Sequence, residues 1–187
     1  MGVGQLLESK RAPIIDRWRE LVVGTYPAQA SRLLDRTRDQ FRNPVGHAIN
    51  ESVVELYDGL VGEGPVSDLR EAVDRVVRIR AVQDFIPSEA VGFVMQVKQA
   101  VRDEARAGGI SAQDETALRH FDARVDELAL LAFDVYSSCR EQMMVIRSRA
   151  LERRTSHLLK LAQRLGDPYA CADAISSETD LEGGPGA

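Results

Sequence analysis

Histidine and cysteine, the residues most often recruited to hold metals, are scarce here: three of one and two of the other in 187 residues. Cys139 and Cys171 form no CxxC motif and have no histidine pair beside them, so neither a zinc site nor a disulfide framework is written in the chain. A reducing compartment suits that usage. No charged start leads into an apolar run of signal-peptide length, and no stretch reaches the roughly 20 apolar residues of a membrane span. The expected location is the cytoplasm, with no membrane insertion. A glycine-rich phosphate loop, a nucleophile elbow and a carboxylate pair at an identifiable cleft are also missing. The chain therefore does not read as an enzyme, and no cofactor is expected.

An excess of basic residues is lacking too. The net charge is −5, and residues 166–187 account for all of it through Asp167, Asp173, Glu178, Asp180 and Glu182, with no lysine or arginine among them. A charge-balanced body with an acidic end has no footprint for a phosphate backbone, which argues against nucleic acid as a partner. Two regions follow: a helical domain over 1–165 and a disordered acidic tail over 166–187.

Strand patterning is the last absence. Nowhere do residues alternate with Val, Ile and Thr character between turn signals, whereas apolar residues recur at helical spacing in every long segment. The chain is all-α, and at 44% hydrophobic it can build one core. A first helix is expected from Gly4 to Val23, kinked at Pro13, and a short one from Ala28 to Arg36. Asn43-Pro44 supplies a cap and a first-turn proline for a helix running to Val61. Ser67 would cap a helix over Asp68 to Asp84, and Pro87 opens another that ends at Gly108-Gly109. From Ala112 to Leu165 there is neither glycine nor proline, so one very long helix is expected, capped by Ser111. At 1.5 Å per residue it would measure about 80 Å. Trp18, Ile49, Val76, Val94, Phe121 and Leu128 are the expected core.

Few residues could carry chemistry. His47 lies one turn into the helix begun by Pro44, with Asn50 and Glu51 for company rather than a second imidazole or thiolate. It is a weak candidate for holding a cofactor and reads better as a packed or surface side chain. His120 and His157 are too far apart along the long helix to share one iron, and no HxxxH or ExxH pairing is present. Cys139 falls on the apolar stripe of the long helix; it is the redox candidate, against the reading of a small packed hydrophobe. Arg75, Arg78 and Arg80 could hold an anion or pair with acids on a neighbouring helix. Leu118, Phe121, Val125, Leu128, Val135 and Cys139 follow coiled-coil spacing, more stripe than one small core covers, and so mark an expected homodimer interface. Beyond them, Arg149, Arg153 and Arg154 belong to a basic, partly apolar helix end that suits partner docking.

Four stretches together carry a family resemblance: "RWRELVVGTYP", "FRNPVGHAINE", "RVVRIRAVQDFIPSEAVGFV" and "LALLAFDVYSSCREQMMVIR". In order and spacing they resemble the N-terminal sensory domain of RsbRD-type stressosome co-antagonists, over about Leu6 to Leu165. The resemblance implies a helical, globin-like fold without obligatory haem, a dimer formed through the terminal helices, and a last helix running towards an output domain. Ile86 departs from the family pattern by standing where a serine or threonine cap is common. A full co-antagonist continues into a phosphorylated STAS domain; with so short a stretch after Leu165, the chain resembles the free-standing members found in anaerobic sulfur- and metal-reducing bacteria. Two readings of function follow. One is a non-enzymatic sensory or scaffold protein that acts through dimerisation and an unidentified regulatory or respiratory protein partner. The other is a ligand-, haem- or metal-binding redox protein of anaerobic respiratory metabolism.

Overall fold

Pro13 decides how the chain begins. It has no N–H to offer Ser9, and its ring crowds that carbonyl. The expected single kinked helix is therefore two: α1, Val3–Ser9, and α2, Arg11–Gly24, with Lys10 between them at φ −105°. Pro13 then sits in the first turn of α2, where no intrahelical donor is required. The computed structural model describes residues 3–36, 41–83, 85–108 and 114–166; the acidic tail expected over 166–187 lies outside them from residue 167 onward.

Asparagine and proline set the next boundary as expected. After α3, Ala28–Arg36, α4 runs from Pro44 to Val61. The Asn43 Oδ1 accepts from the Gly46 amide at 2.9 Å, and the Asn43 Nδ2 donates to the Leu34 carbonyl at 2.9 Å. One side chain thus caps α4 and fastens the end of α3 to it. Gly46 is required beneath this cap, because a Cβ there would collide with the Asn43 amide.

The third long helix departs from expectation at its start. Ser67 makes no cap bond; its hydroxyl turns to the Asp68 carboxylate at 3.5 Å. A 3-10 turn, Val66–Leu69, leads into α5, Arg70–Val82, and the burial of Val66 and Leu69 directs the chain inward. The expected end at Asp84 lies outside the described residues. The fourth helix is also divided, into α6, Pro87–Gly92, and α7, Gln96–Gly108. Between them the amides of Val94, Met95, Gln96 and Val97 bond three residues back rather than four. The cause is the Trp18 indole, whose Nε1 donates to the Phe93 carbonyl at 2.7 Å, while Phe93, Val94 and Val97 are fully buried. At Ile86 the missing cap is made up in part by Glu89, whose carboxylate accepts from the Ile86 amide at 3.4 Å.

The last helix is unbroken: α8, Asp114–Gly166, has 53 residues. The expected cap at Ser111 lies outside the described residues. The chain divides into two units, Met1–Arg140 and Glu141–Ala187, and α8 runs through the boundary. Within the first unit α2 packs on α4 and α7, and α4 packs on α5. Trp18, Ile49, Val76, Val94, Phe121 and Leu128 all lie in this core. Arg124 of α8 closes the open end of α4, donating to the carbonyls of Leu60 at 3.1 Å, Gly59 at 2.8 Å and Gly64 at 2.8 Å. The first two are carbonyls that a helix C-terminus leaves without partners, met by a cation of the favourable sign, and the Gly64 carbonyl belongs to the loop that follows. Among the described residues there is no strand, and the fold is all-α.

The Trp18–Phe93 bond predicts a measurable loss. Trp18→Phe removes the shorter of the two hydrogen bonds to the buried Phe93 carbonyl, leaving only the Gln96 amide, opens a small void, and should lower stability by roughly 1–3 kcal/mol. Urea unfolding followed by far-UV circular dichroism checks it, and an unchanged midpoint would show that the indole does not hold the α6–α7 turn.

Candidate functional site

The three arginines of "RVVRIRAVQDF" have separate fates. Arg75 reaches α4, donating to the Ser52 hydroxyl at 3.2 Å and pairing with Glu55. Arg78 pairs within its own helix with Asp74. Arg80 is fully buried, with no carboxylate against it among the described residues. Its Nη1 donates to the Glu89 carbonyl at 2.9 Å, and its Nη2 donates to the Thr25 hydroxyl at 2.9 Å and the Val22 carbonyl at 3.2 Å. The guanidinium lies 5.1 Å from the ring centres of Tyr26, Phe85 and Phe93 alike. Burial pulls its pKa down from the ordinary arginine value, and Tyr26 and Glu89 act the other way. The expected pairing with a neighbouring helix holds for Arg75, and Arg80 is a core residue rather than an anion site.

His47 opens onto a groove between α2 and α4. The groove encloses about 710 Å³ and is lined by Ile15, Asp16, Arg19, His47, Asn50, Glu51, Val53, Val54, Glu55 and Asp58. Its floor is apolar and its charged groups are mostly acids. His47 is half-buried, with Nε2 at 3.2 Å from the Glu51 carboxylate one turn on. Asp58 is held by a two-pronged bond from Arg11, both contacts at 2.7 Å, and Glu55 by Arg75. No group of three or more His, Cys, Asp or Glu side chains among the described residues could hold a metal ion. His120 and His157 are exposed and far from this groove in sequence.

Cys139 borders a second, smaller groove, about 430 Å³, between α5 and α8, with Arg70, Glu71, Asp74, Arg75, Arg78, Val135 and Ser138. Cys139 is 6% exposed and forms no disulfide. Burial pushes its pKa up; the nearby Arg78 guanidinium pulls it down, and Asp74 adds to the rise. An environment that disfavours thiolate is the reverse of what a reactive redox cysteine needs.

The stripe expected to form a dimer interface faces inward. Phe121, Val125, Leu128, Val135 and Cys139 are buried in the core of their own chain, with Leu118 packed against it. They are not free to receive a second copy. The physical reason is that this part of α8 is itself a wall of the core, tied to α7 by Lys98–Asp126 and Arg102–Asp122 pairs and to the end of α4 by Arg124. The apolar residues that α8 exposes are others: Leu130, Phe133, Met144, Val145, Ile146, Leu151, Leu158, Leu159 and Leu161. Met144, Leu151 and Leu158 recur every seven residues and so share one face, with Arg147 and Arg154 one turn further along on the same side. Arg149 and Arg153 project from the other side. Nothing in the sequence reading singled out that seven-residue row, although its spacing was there to be read.

The model of the RsbT co-antagonist protein rsbRD N-terminal domain matches residues 12–151. The chain belongs to that family. All four resembling stretches fall inside the match, which runs from the start of α2 into α8. A protein of Archaeoglobus fulgidus described only as uncharacterized is similar as well: 24% identical over 143 residues, which is 76% of this chain and 85% of that one. No solved structure matches. The family is one of regulatory sensory domains, and no helix among the described residues is long and apolar enough to cross a membrane.

The environment of Cys139 has a sign that can be checked. In a Cys171→Ser chain, the rate of reaction with Ellman's reagent should rise with pH to a midpoint above about 8.5, the value of a free thiol. Arg78→Gln removes the nearby cation, so it should move that midpoint further up. A midpoint below the free-thiol value would restore Cys139 as a reactive cysteine.

Proposed function

We propose that this RsbRD N-terminal domain is a non-enzymatic sensory module of bacterial stress or redox signalling, active in the cytoplasm as a homodimer that binds a regulatory or respiratory protein. The observation that carries the reading is the exposed face of α8. Met144, Leu151 and Leu158 are 63–68% exposed, on a segment that holds Arg147, Arg149, Arg153, Arg154, Lys160 and Arg164 against the single acid Glu152. A solitary helix gains nothing by presenting leucines to water. An arginine-rimmed apolar helix face is, by contrast, a form in which helices are recognised by proteins. Arg149, Arg153 and Arg154 are the docking residues of this segment: Arg154 lies on the leucine face, and Arg149 and Arg153, on the far side of the helix, stay open to a second protein when that face is covered. The body supplies what a sensor needs to pass a change along, because tightly packed helices switch between discrete arrangements rather than deform continuously.

Sedimentation equilibrium at micromolar protein tests the dimer. The expected mass is twice the 20.7 kDa of the chain, falling to that of a monomer when the chain is shortened to end at Met144. A full-length chain that sediments as a monomer would overturn the reading.

A further inference from the structure

The two features left without an occupant are complementary. On one side is the α2–α4 groove, with Ile15, Val53 and Val54 forming an apolar floor. One cation, Arg19, also lines it; of its four acids, Asp58 and Glu55 are already held by Arg11 and Arg75, which leaves two, Asp16 and Glu51. Asp16 makes no hydrogen bond or ion pair among the described residues, and Glu51 meets only His47. On the other side is the α8 segment after Glu141, exposed along its length, with leucines every seven residues and arginines beside them. Its charge speaks against pairing with its own twin. Six cations against one acid on each helix would bring like charges together along the seam, which costs affinity and selects against that partner. An acid-edged apolar groove has the opposite sign and the right character, and it is open along its length rather than closed around a small molecule.

We propose that the α2–α4 groove is the receptor for the distal part of α8 from a second copy of the chain, with Leu151 and Leu158 on the Ile15–Val53–Val54 floor and Arg147 and Arg154 against Asp16 and Glu51. Two copies that exchange their helix ends make this contact twice, as a two-fold pair requires. The proposal rests on the homodimer reading and names the surfaces that form it. His47 then has a place in the interface through its bond to Glu51, with no metal or haem involved.

Reciprocal charge reversal tests it on the full-length chain. One variant carries Asp16→Lys and Glu51→Lys, the other Arg147→Glu and Arg154→Glu; all four positions are exposed or half-exposed, and circular dichroism with a urea midpoint confirms that each variant folds. Each alone places like charges in both contacts and should self-associate about ten-fold or more weakly than the parent, as like-charge juxtaposition in an interface does. Mixed in equal amounts, they restore opposite charges in both contacts, and sedimentation should recover the parent's dimer. Arg149→Glu with Arg153→Glu, on the far side of the helix, should leave association within about two-fold of the parent, since rim charges contribute little. A parent dimer that withstands the groove reversal, or a mixture that stays monomeric, overturns the groove assignment and leaves the dimer standing. A monomeric parent overturns both.

Discussion

The buried guanidinium of Arg80 is the constraint around which the first unit is organised. A cation in a core, with no carboxylate beside it among the described residues, persists only if its desolvation is offset, and of its nitrogens only Nε is left without a hydrogen bond. Here the offset comes from the end of α2 through Val22, Thr25 and Tyr26, from the start of α6 through Glu89, and from the rings of Phe85 and Phe93. These groups come from three separate segments of the chain. To satisfy one arginine the chain must bring the α2 terminus, the α5–α6 connection and the α6–α7 turn to a single point. Tyr136 of α8 adds a further strand of this web, with its hydroxyl 3.4 Å from the Phe85 carbonyl.

That geometry accounts for the stretches that mark the family. "RWRELVVGTYP" holds the carbonyl, hydroxyl and ring that receive the guanidinium; "RVVRIRAVQDFIPSEAVGFV" holds the arginine itself, two of its rings and the Phe93 carbonyl that Trp18 occupies. "FRNPVGHAINE" holds the Asn43 cap that links α3 to α4, and also His47 and Glu51 on the wall of the groove. Each of these three stretches sets at least one side chain against a backbone carbonyl elsewhere in the fold. Such contacts depend on order and spacing, which is why the stretches are recognised together and not singly.

Sequence reading succeeded where a residue acts on its own neighbourhood. Asn43 and Pro44 start α4, Gly62 follows its end, and the 3.6-residue recurrence of apolar side chains picked out Ile49, Val76 and Leu128 as core. It failed where the deciding partner is distant. The break between α6 and α7 is made by a tryptophan 75 residues earlier in the chain. Arg80 read, like Arg75 and Arg78, as a group to hold an anion or pair with acids, because burial of a cation is decided by three segments that no local window contains. The stripe on α8 failed in a different way. Periodicity shows that a face is covered but not by what, and the stripe lies in the core of its own chain. For the candidate site, the bland reading of His47 fits its bond to Glu51, whereas the groove it borders exists only once α2 lies beside α4.

The single tryptophan of the chain occupies the point where these helices meet. Trp18 is fully buried, and its indole N–H is committed to the Phe93 carbonyl, beside the ring that stacks on Arg80. The intrinsic fluorescence of this protein is therefore the emission of one site. A dry, hydrogen-bonded indole emits to the blue of a hydrated one, and a nearby carbonyl or cation alters its yield. Any ligand, pH change or partner that loosens the seat of α2 against the α6–α7 turn would register as a change in colour or intensity, with no label added. The residue that builds the turn also serves as an optical gauge of it.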